Sequence, residues 1–193
     1  KQDALYRQND HNIVRVIQGK KSDSDNENDN VYTRAADFLN SWIEQGALKQ
    51  DETESIYAYI QNFSIGEKHY QRDSFISLAR LEEFGKSVRA HENTLSKPKA
   101  DRLNLLRAIK AKFGLVYMLY DDEDNIAETI LEQAMQTEPE LDFEDDDGIR
   151  HRLYPVSSPQ KVETICNMMS DKICIIADGH HRYETALQYS KET

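Results

Sequence analysis

The stretch that most constrains the fold is Asp178-Gly179-His180-His181-Arg182, near the carboxyl end of the sequence. It follows an apolar run at residues 172–177, which predicts a buried strand, and precedes residues 183–189, which predict the first turns of a helix. A strand, a glycine turn and a helix start place several free backbone N–H groups at the positive end of a helix dipole. The stretch therefore predicts a strand–turn–helix unit that is suited to holding an anion.

Composition and charge narrow the class of protein. The chain has 193 residues, of which 38% are hydrophobic and 31% are charged, so we expect a soluble globular domain over residues 1–193. The formal net charge of −11 argues against direct nucleic-acid binding, because no run of Lys or Arg is long enough to form a basic face. No apolar stretch approaches membrane-spanning length, so no membrane partner is expected. Cys166 and Cys174 lie among apolar residues, which predicts buried, reduced thiols and a cytoplasmic protein.

Hydrophobic periodicity predicts alternating helices and strands with some antiparallel pairs, which indicates an α+β (mixed α/β) fold. Helices are predicted from Val31 to Gly46, with Trp42 in the core, and from Pro98 to Gly114. A third helix is predicted to begin at a capping box formed by Asn125 and Glu128 and to end at residue 137. A fourth begins at Ser158, with Val162, Ile165, Cys166 and Met169 facing inward, and a fifth follows Arg182. Strands are predicted at residues 55–63, 75–82, 115–120, 141–144, 150–156 and 172–177, with Gly66 and Asp147-Gly148 in hairpin connections.

Residues 20–30 are polar and acidic, and they predict a flexible loop. The alternating acidic residues of this loop suggest calcium. However, Asn28 and Arg34 occupy the sixth and twelfth positions, where an EF-hand requires Gly and Glu. A solvated loop is therefore the favoured interpretation.

A second chemical cluster lies at residues 89–102, in a connection from a strand to a helix. Lys97 and Lys99 near a helix start could hold phosphate, while Glu92 or Asp101 could act as a base or bind Mg²⁺. The alternative is a solvated loop with ordinary surface charges. Metal binding by His91 with His180 and His181 is disfavoured because adjacent histidines point in different directions, and no metal site is predicted.

Two imidazoles and a guanidinium beside a helix start favour phosphate as the anion at residues 178–182. The alternative is a tight turn with a surface arginine and two solvated histidines. The candidate catalytic residues are Asp178, Glu92 and His91. The candidate cofactor-binding residues are Gly179, His180, His181, Arg182, Lys97 and Lys99.

Several stretches together resemble the prokaryotic family named domain of unknown function 1015. The matching pieces are residues 32–36 with Trp42, residues 55–59, His91-Glu92-Asn93-Thr94, residues 99–103 and residues 176–186. Proteins of this family are longer, so the resemblance implies that this chain is a fragment. The family's function is unsettled.

At one remove, Asp178–Arg182 is similar to the phosphate-binding turn of the ParB/sulfiredoxin-like fold, which includes free-serine kinases. That resemblance implies a ParB/sulfiredoxin-like core with extra helices and a mixed sheet, and ATP or ADP with Mg²⁺ as cofactor. Gly179–Arg182 would then contact the nucleotide phosphates, and Asp178 would lie near the substrate or Mg²⁺. Sulfiredoxin has a catalytic cysteine where this chain has His180, so sulfinic-acid reduction is not expected. The carboxylate base of the serine kinases is expected to precede Lys1.

The favoured hypothesis is a nucleotide-dependent phosphotransferase, a kinase that acts on a small hydroxylated metabolite such as an amino acid. The first alternative is a non-catalytic, nucleotide-dependent regulatory or ParB-like binding protein. The second is a structural or interaction domain without a ligand. The expected partners are thus a nucleotide and a small-molecule substrate, and the sequence leaves the oligomeric state open.

Overall fold

The computed structural model describes residues 1–91 and 96–193, with side chains described outside residues 92–98. The helices of this part are α1 (Gln2–Gln8), α2 (Val14–Ile17), α3 (Val31–Glu44), α4 (Ser96–Ile109), α5 (Ile126–Ala134), α6 (Pro159–Met169) and α7 (His180–Ser190). Its strands are β1 (Ile56–Ile65), β2 (Lys68–Ile76), β3 (Val88–Arg89), β4 (Tyr117–Leu119), β5 (Leu141–Glu144), β6 (Arg150–Val156) and β7 (Cys174–Asp178). This content confirms an α+β fold.

The chain divides into two compact units. The first consists of Lys1–Gln50, Leu81–Leu119 and Cys174–Thr193. It contains a three-stranded sheet in which the central strand β7 is parallel to β3 and antiparallel to β4. One core cluster joins Trp42 and Ile109 of α3 and α4, and another joins Ile176 of β7 to Tyr183 of α7. Helix α4 packs against α7.

The second unit consists of Asp51–Arg80 and Tyr120–Ile173. It contains a four-stranded antiparallel sheet in the order β2-β1-β6-β5. Alternate residues of β1 are buried, because strand side chains point to opposite faces in turn. The buried face packs against α5 and α6, with Ile60, Ile130 and Ile165 in one core.

The predicted helix α3 and the predicted hairpin connections are confirmed. Asn30 and Thr33 form a capping box at the start of α3, and Trp42 is only 4% exposed. Gly46 follows the helix with a φ of +71°, the left-handed conformation that ends many helices. The hairpin turn at Asp147-Gly148 joins β5 and β6, as the sequence predicts.

The predicted capping box of α5 is wrong. Asn125 precedes the helix with a left-handed φ of +53°, and its side chain makes no capping hydrogen bond. The carboxylate of Asp122 takes that role and accepts hydrogen bonds from the N–H groups of Ile126 at 3.0 Å and Ala127 at 2.8 Å. Because the backbone turns between residues 122 and 125, a more distant side chain reaches the helix start.

Two predicted strands and one predicted helix end also need correction. Residues 77–82 lie outside β2, which pairs with β1 at Lys68–Ile76. The strand expected at 115–120 is short, and Leu115 and Leu119 are exposed rather than buried. Helix α4 ends at Ile109, where Lys110 adopts a φ of +52°, so Gly114 does not end it.

The prediction of two buried cysteines is wrong. Both thiols are free, but Cys166 is exposed and Cys174 is half-buried. Cys166 lies on α6 next to the buried Ile165 but faces solvent, because neighbouring helix positions point in different directions. Partial burial raises the pKa of the Cys174 thiol.

The acidic loop at residues 20–30 contacts helix α3 through Arg34. The Arg34 guanidinium lies 2.8 Å from Asp25 and 2.7 Å from Asp29. An arginine thus pairs with two of the carboxylates that suggested calcium. Among the described residues, no helix has both the length and the apolar character needed to cross a membrane.

Candidate functional site

The predicted strand–turn–helix unit is present, and it places the amino end of α7 at the end of β7. Gly179 is the N-cap of α7, with a φ of +97°, a conformation that favours glycine. Because Gly179 has no side chain, no N-cap side chain covers the first turn of α7. The N–H of Tyr183 donates a hydrogen bond to the carbonyl of Gly179 at 2.9 Å. The first amides of an α-helix lack partners within the helix, so this turn presents donors to an anion.

Tyr183 fixes the orientation of the first turn of α7. Its side chain is 2% exposed, and its hydroxyl donates to the carbonyl of Glu82 at 2.8 Å and accepts from the N–H of the same residue at 2.9 Å. Its ring also stacks against Phe84, with centroids 5.3 Å apart. Burial is the main cause that raises the pKa of Tyr183. The helix start is therefore held by a buried anchor.

Arg182 lies in a space that two glycines leave open. A Cβ atom added at Gly114 would lie 2.7 Å from Cδ of Arg182, and one added at Gly179 would lie 2.8 Å from Nε and Nη2. The guanidinium pairs with the carboxylate of Asp178 through Nη2. Its Nε is buried and has no hydrogen-bond partner in the described part of the chain. Arg182 thus has a defined position and unused donor capacity.

Lys112 is a further cation beside Arg182, and sequence reasoning missed it. The pKa of Lys112, an exposed residue, is lowered first by desolvation and second by the positive charge of Arg182. Two cations that raise each other's electrostatic energy are stabilised by a bound anion. The only local signal in the sequence is a pair of lysines, Lys110 and Lys112, shortly before Gly114.

The structure brings His91 and His180 together. Their rings meet edge to face, with centroids 4.5 Å apart. The backbone N–H of His91 donates to Nε2 of His180 at 3.3 Å, and Nδ1 of His91 donates to the carbonyl of Ile176 at 2.8 Å. Nε2 of His180 accepts that hydrogen bond, and the residue is buried, with only 3% of its surface exposed. The buried position of His180 is better suited to supporting the turn than to neutralising a phosphate directly.

His181 is half-buried at the first turn of α7. Its Nδ1 is buried and lacks a hydrogen-bond partner within the described residues. The backbone carbonyl of His181 accepts a bond from the hydroxyl of Thr185 at 2.6 Å. Its imidazole therefore retains an unused polar atom near Arg182.

The remaining predicted residues lie on or before α4. Lys99 forms an ion pair with Glu184 of α7, so a carboxylate already neutralises this lysine. Glu92 and the side chain of Lys97 lie outside the described residues. Among the described residues, no group of three or more His, Cys, Asp or Glu side chains could hold a metal ion.

A family model described as "Protein of unknown function (DUF1015)" matches the chain over residues 1–193. Neither a curated protein nor a solved structure matches the chain. The family description names no activity, so the functional argument depends on the geometry at Asp178–Arg182.

Proposed function

The chain belongs to the DUF1015 family, and we propose that the amino end of α7 binds the phosphate groups of a nucleotide. The proposed activity is phosphoryl transfer from ATP or ADP, with Mg²⁺, to a small hydroxylated metabolite. Such transfer depends mostly on positioning and on neutralisation of charge, and a guanidinium beside a helix start supports a role in both.

One observation carries the proposal: Arg182 is placed at an uncapped helix start in a space that Gly114 and Gly179 leave open. A guanidinium matches the geometry of phosphate oxygens, and its bonds to them are charge-assisted. The buried, unpartnered Nε of Arg182 is a donor that a phosphate oxygen could satisfy. A surface arginine in an ordinary turn would require neither glycine.

The proposed reaction assigns each group a role. The hydroxyl oxygen of the metabolite attacks the terminal phosphorus, and the bond from that phosphorus to the departing nucleotide breaks. The hydroxyl proton passes to a general base, a role for which the sequence offers Glu92. Asp178, a 74% exposed carboxylate at the end of β7, would hold Mg²⁺ together with the phosphates, since Mg²⁺ is commonly bound by one or two carboxylates and substrate phosphates. His180 would brace the turn.

The proposed relationship to the ParB/sulfiredoxin-like fold rests on the same local unit. A strand that ends in Asp178, a left-handed Gly179 and a helix whose third residue is Arg182 support it. Other folds also bind anions at helix starts, so the biochemical test takes precedence.

The experiment measures the melting temperature with and without ATP, ADP and CTP in the presence of Mg²⁺. A ligand that binds the native state raises the melting temperature by mass action. Arg182→Ala is expected to weaken nucleotide affinity by roughly ten- to a hundredfold, or about 1.5–3 kcal/mol, because a charge-assisted contact is lost. The matched control is Arg107→Ala, which removes an arginine of the same unit that pairs with Glu192.

The outcomes separate the candidate functions. A shift that disappears in Arg182→Ala but persists in Arg107→Ala supports the site, and a substrate screen for phosphoryl transfer then follows. Binding without turnover of any hydroxylated metabolite would favour a nucleotide sensor. Absence of a shift at millimolar nucleotide would refute nucleotide binding.

A further inference from the structure

The sheet of the second unit has a polar stretch on the same face that packs against α5 and α6. Residues directly opposite one another on neighbouring antiparallel strands share a face, as do alternate residues of one strand. By this rule the register places six polar side chains on the face of the buried Ile60, beyond it along the strands: Asn62, Ser64, His69, Gln71, Arg150 and Glu144. The face is therefore apolar beneath the helices and polar toward the hairpin ends.

These six residues line an open cleft of about 390 Å³, a volume typical of small-molecule sites. Gly148, in the turn between β5 and β6, lines the same cleft, which we call the polar cleft. All of its lining residues belong to the second unit. Because four paired strands supply the side chains, their positions are fixed better than they would be on loops.

Hydrogen bonds hold two of these side chains in place. Oδ1 of Asn62 accepts a bond from Nη2 of Arg152 at 2.7 Å, and its Nδ2 donates to Gln71 at 3.1 Å. Nε and Nη2 of Arg150 donate to the two carboxylate oxygens of Asp142 at 2.8 and 2.6 Å. The amide and guanidinium planes are thus oriented before any ligand binds.

Both donors and acceptors of the polar cleft retain hydrogen-bonding capacity. Within residues 1–91 and 96–193, the carboxylate of Glu144 forms no hydrogen bond or ion pair, and Nη1 of Arg150 has no partner. Nδ1 of His69 lies 2.9 Å from the hydroxyl oxygen of Ser64, while its Nε2 has no partner in the same part of the chain. An acceptor on β5 and a donor on β6 therefore lie side by side in one cleft.

We propose that the polar cleft binds a small, uncharged, polyhydroxylated molecule, such as a monosaccharide or a polyol. A hydroxyl group both donates and accepts, so neighbouring hydroxyls of one ligand can donate to Glu144 and accept from Arg150. An ammonium group would use only the acceptors, and an ionised phosphate would use only the donors. This site shares no residue with the turn at Asp178–Arg182.

The local charge disfavours an anionic ligand. The charge of Arg150 is matched by its pair with Asp142, and Glu144 adds a carboxylate without such a pair. The turn that contains Gly148 adds the carboxylates of Asp146 and Asp147. An unphosphorylated sugar should therefore bind more tightly than its phosphate ester.

The experiment titrates the whole chain with glucose, galactose, mannose, ribose and sorbitol, and follows binding by saturation-transfer-difference NMR. Wild-type protein is compared with Glu144→Gln and Arg150→Gln. The matched control is Glu140→Gln, which changes an exposed carboxylate just before β5. We expect at least one of these probes to bind with a dissociation constant in the millimolar range. Each cleft variant should weaken that binding by about tenfold, because a charge-assisted contact is lost, whereas Glu140→Gln should leave it unchanged.

Glu144→Gln separates a ligand contact from a structural role, because within the described residues this carboxylate has no hydrogen bond or ion pair to lose. Its melting temperature should equal that of wild type. Two charged probes, glucose 6-phosphate and putrescine, test the predicted preference for an uncharged ligand. Failure of every uncharged probe to bind well above millimolar concentration, or equal affinity in wild type and Glu144→Gln, would overturn the inference. Tighter binding of either charged probe would also overturn it, since the cleft would then recognise charge and not hydroxyl groups.

Discussion

Gly114→Ala tests whether the position of Arg182 depends on the missing side chain of a residue far away in sequence. The new Cβ would lie 2.7 Å from Cδ of Arg182, whereas carbon atoms in contact lie about 3.5–4.0 Å apart. The arginine side chain must therefore shift by about 1 Å or adopt another rotamer. Gly114 is not among the glycines with positive φ, so the backbone itself accepts alanine.

The expected effect on stability is small. Replacing glycine by alanine at a compatible position stabilises by about 0.4–1 kcal/mol, because the unfolded chain loses freedom. Displacing Arg182 disrupts its pair with the exposed Asp178, and exposed pairs contribute about 0–1 kcal/mol. The two effects offset one another, so we expect the free energy of unfolding to stay within about 1 kcal/mol of wild type. Urea denaturation measures this quantity.

The expected effect on binding is large. If Arg182 leaves its position, nucleotide affinity should fall nearly as far as in Arg182→Ala, by about 1.5–3 kcal/mol. Calorimetry on Gly114→Ala, Arg182→Ala and the double variant forms a thermodynamic cycle. When the Arg182→Ala substitution is already present, the arginine side chain is absent, so Gly114→Ala should change affinity by less than about 0.5 kcal/mol. An equal loss of affinity in both backgrounds would refute the reasoning, since it would show that the clash with Arg182 is not the cause.

Two further predictions concern the second unit. Asp122→Ala should lower the free energy of unfolding by about 1–2 kcal/mol, because the carboxylate caps the first amides of α5, while Asp124→Ala on the same loop should change it by less than about 0.5 kcal/mol in urea denaturation. Equal effects would contradict the assigned cap. The pKa of Tyr57 is raised from 10.0 to about 12, first by the hydrogen bond that its hydroxyl donates to Asp51 and second by burial. A raised folded-state pKa means that this stabilisation is complete below pH 10 and is lost as the pH rises toward about 12. Asp51→Asn should return the tyrosinate absorbance titration of Tyr57 toward pH 10, and the neighbouring Glu52→Gln should leave it unchanged.

Local interactions made several features predictable from the sequence. The strand–turn–helix unit at Asp178–Arg182 follows from an apolar run, a glycine and a helical pattern within residues 172–189, and helix α3 follows from the apolar periodicity that begins at Val31. These features depend on hydrogen bonds between neighbours in the chain, which a short sequence window contains. For α5 the same window predicted the wrong capping residue, Asn125, because a turn with unusual dihedrals brings Asp122 to the helix start.

The composition of the candidate site was decided by tertiary structure. Gly114 is 68 positions before Arg182, and its sequence context indicated a helix end, yet its missing Cβ makes room for the arginine. Lys112 had no distinguishing context in the sequence, and its pKa is lowered first by desolvation and second by the positive charge of Arg182. The sequence determined that a strand, a glycine turn and a helix start would meet at Asp178–Arg182. The packing of the chain around that turn determined which distant residues give it shape and charge, because steric and Coulomb interactions depend on distance in space and not along the chain.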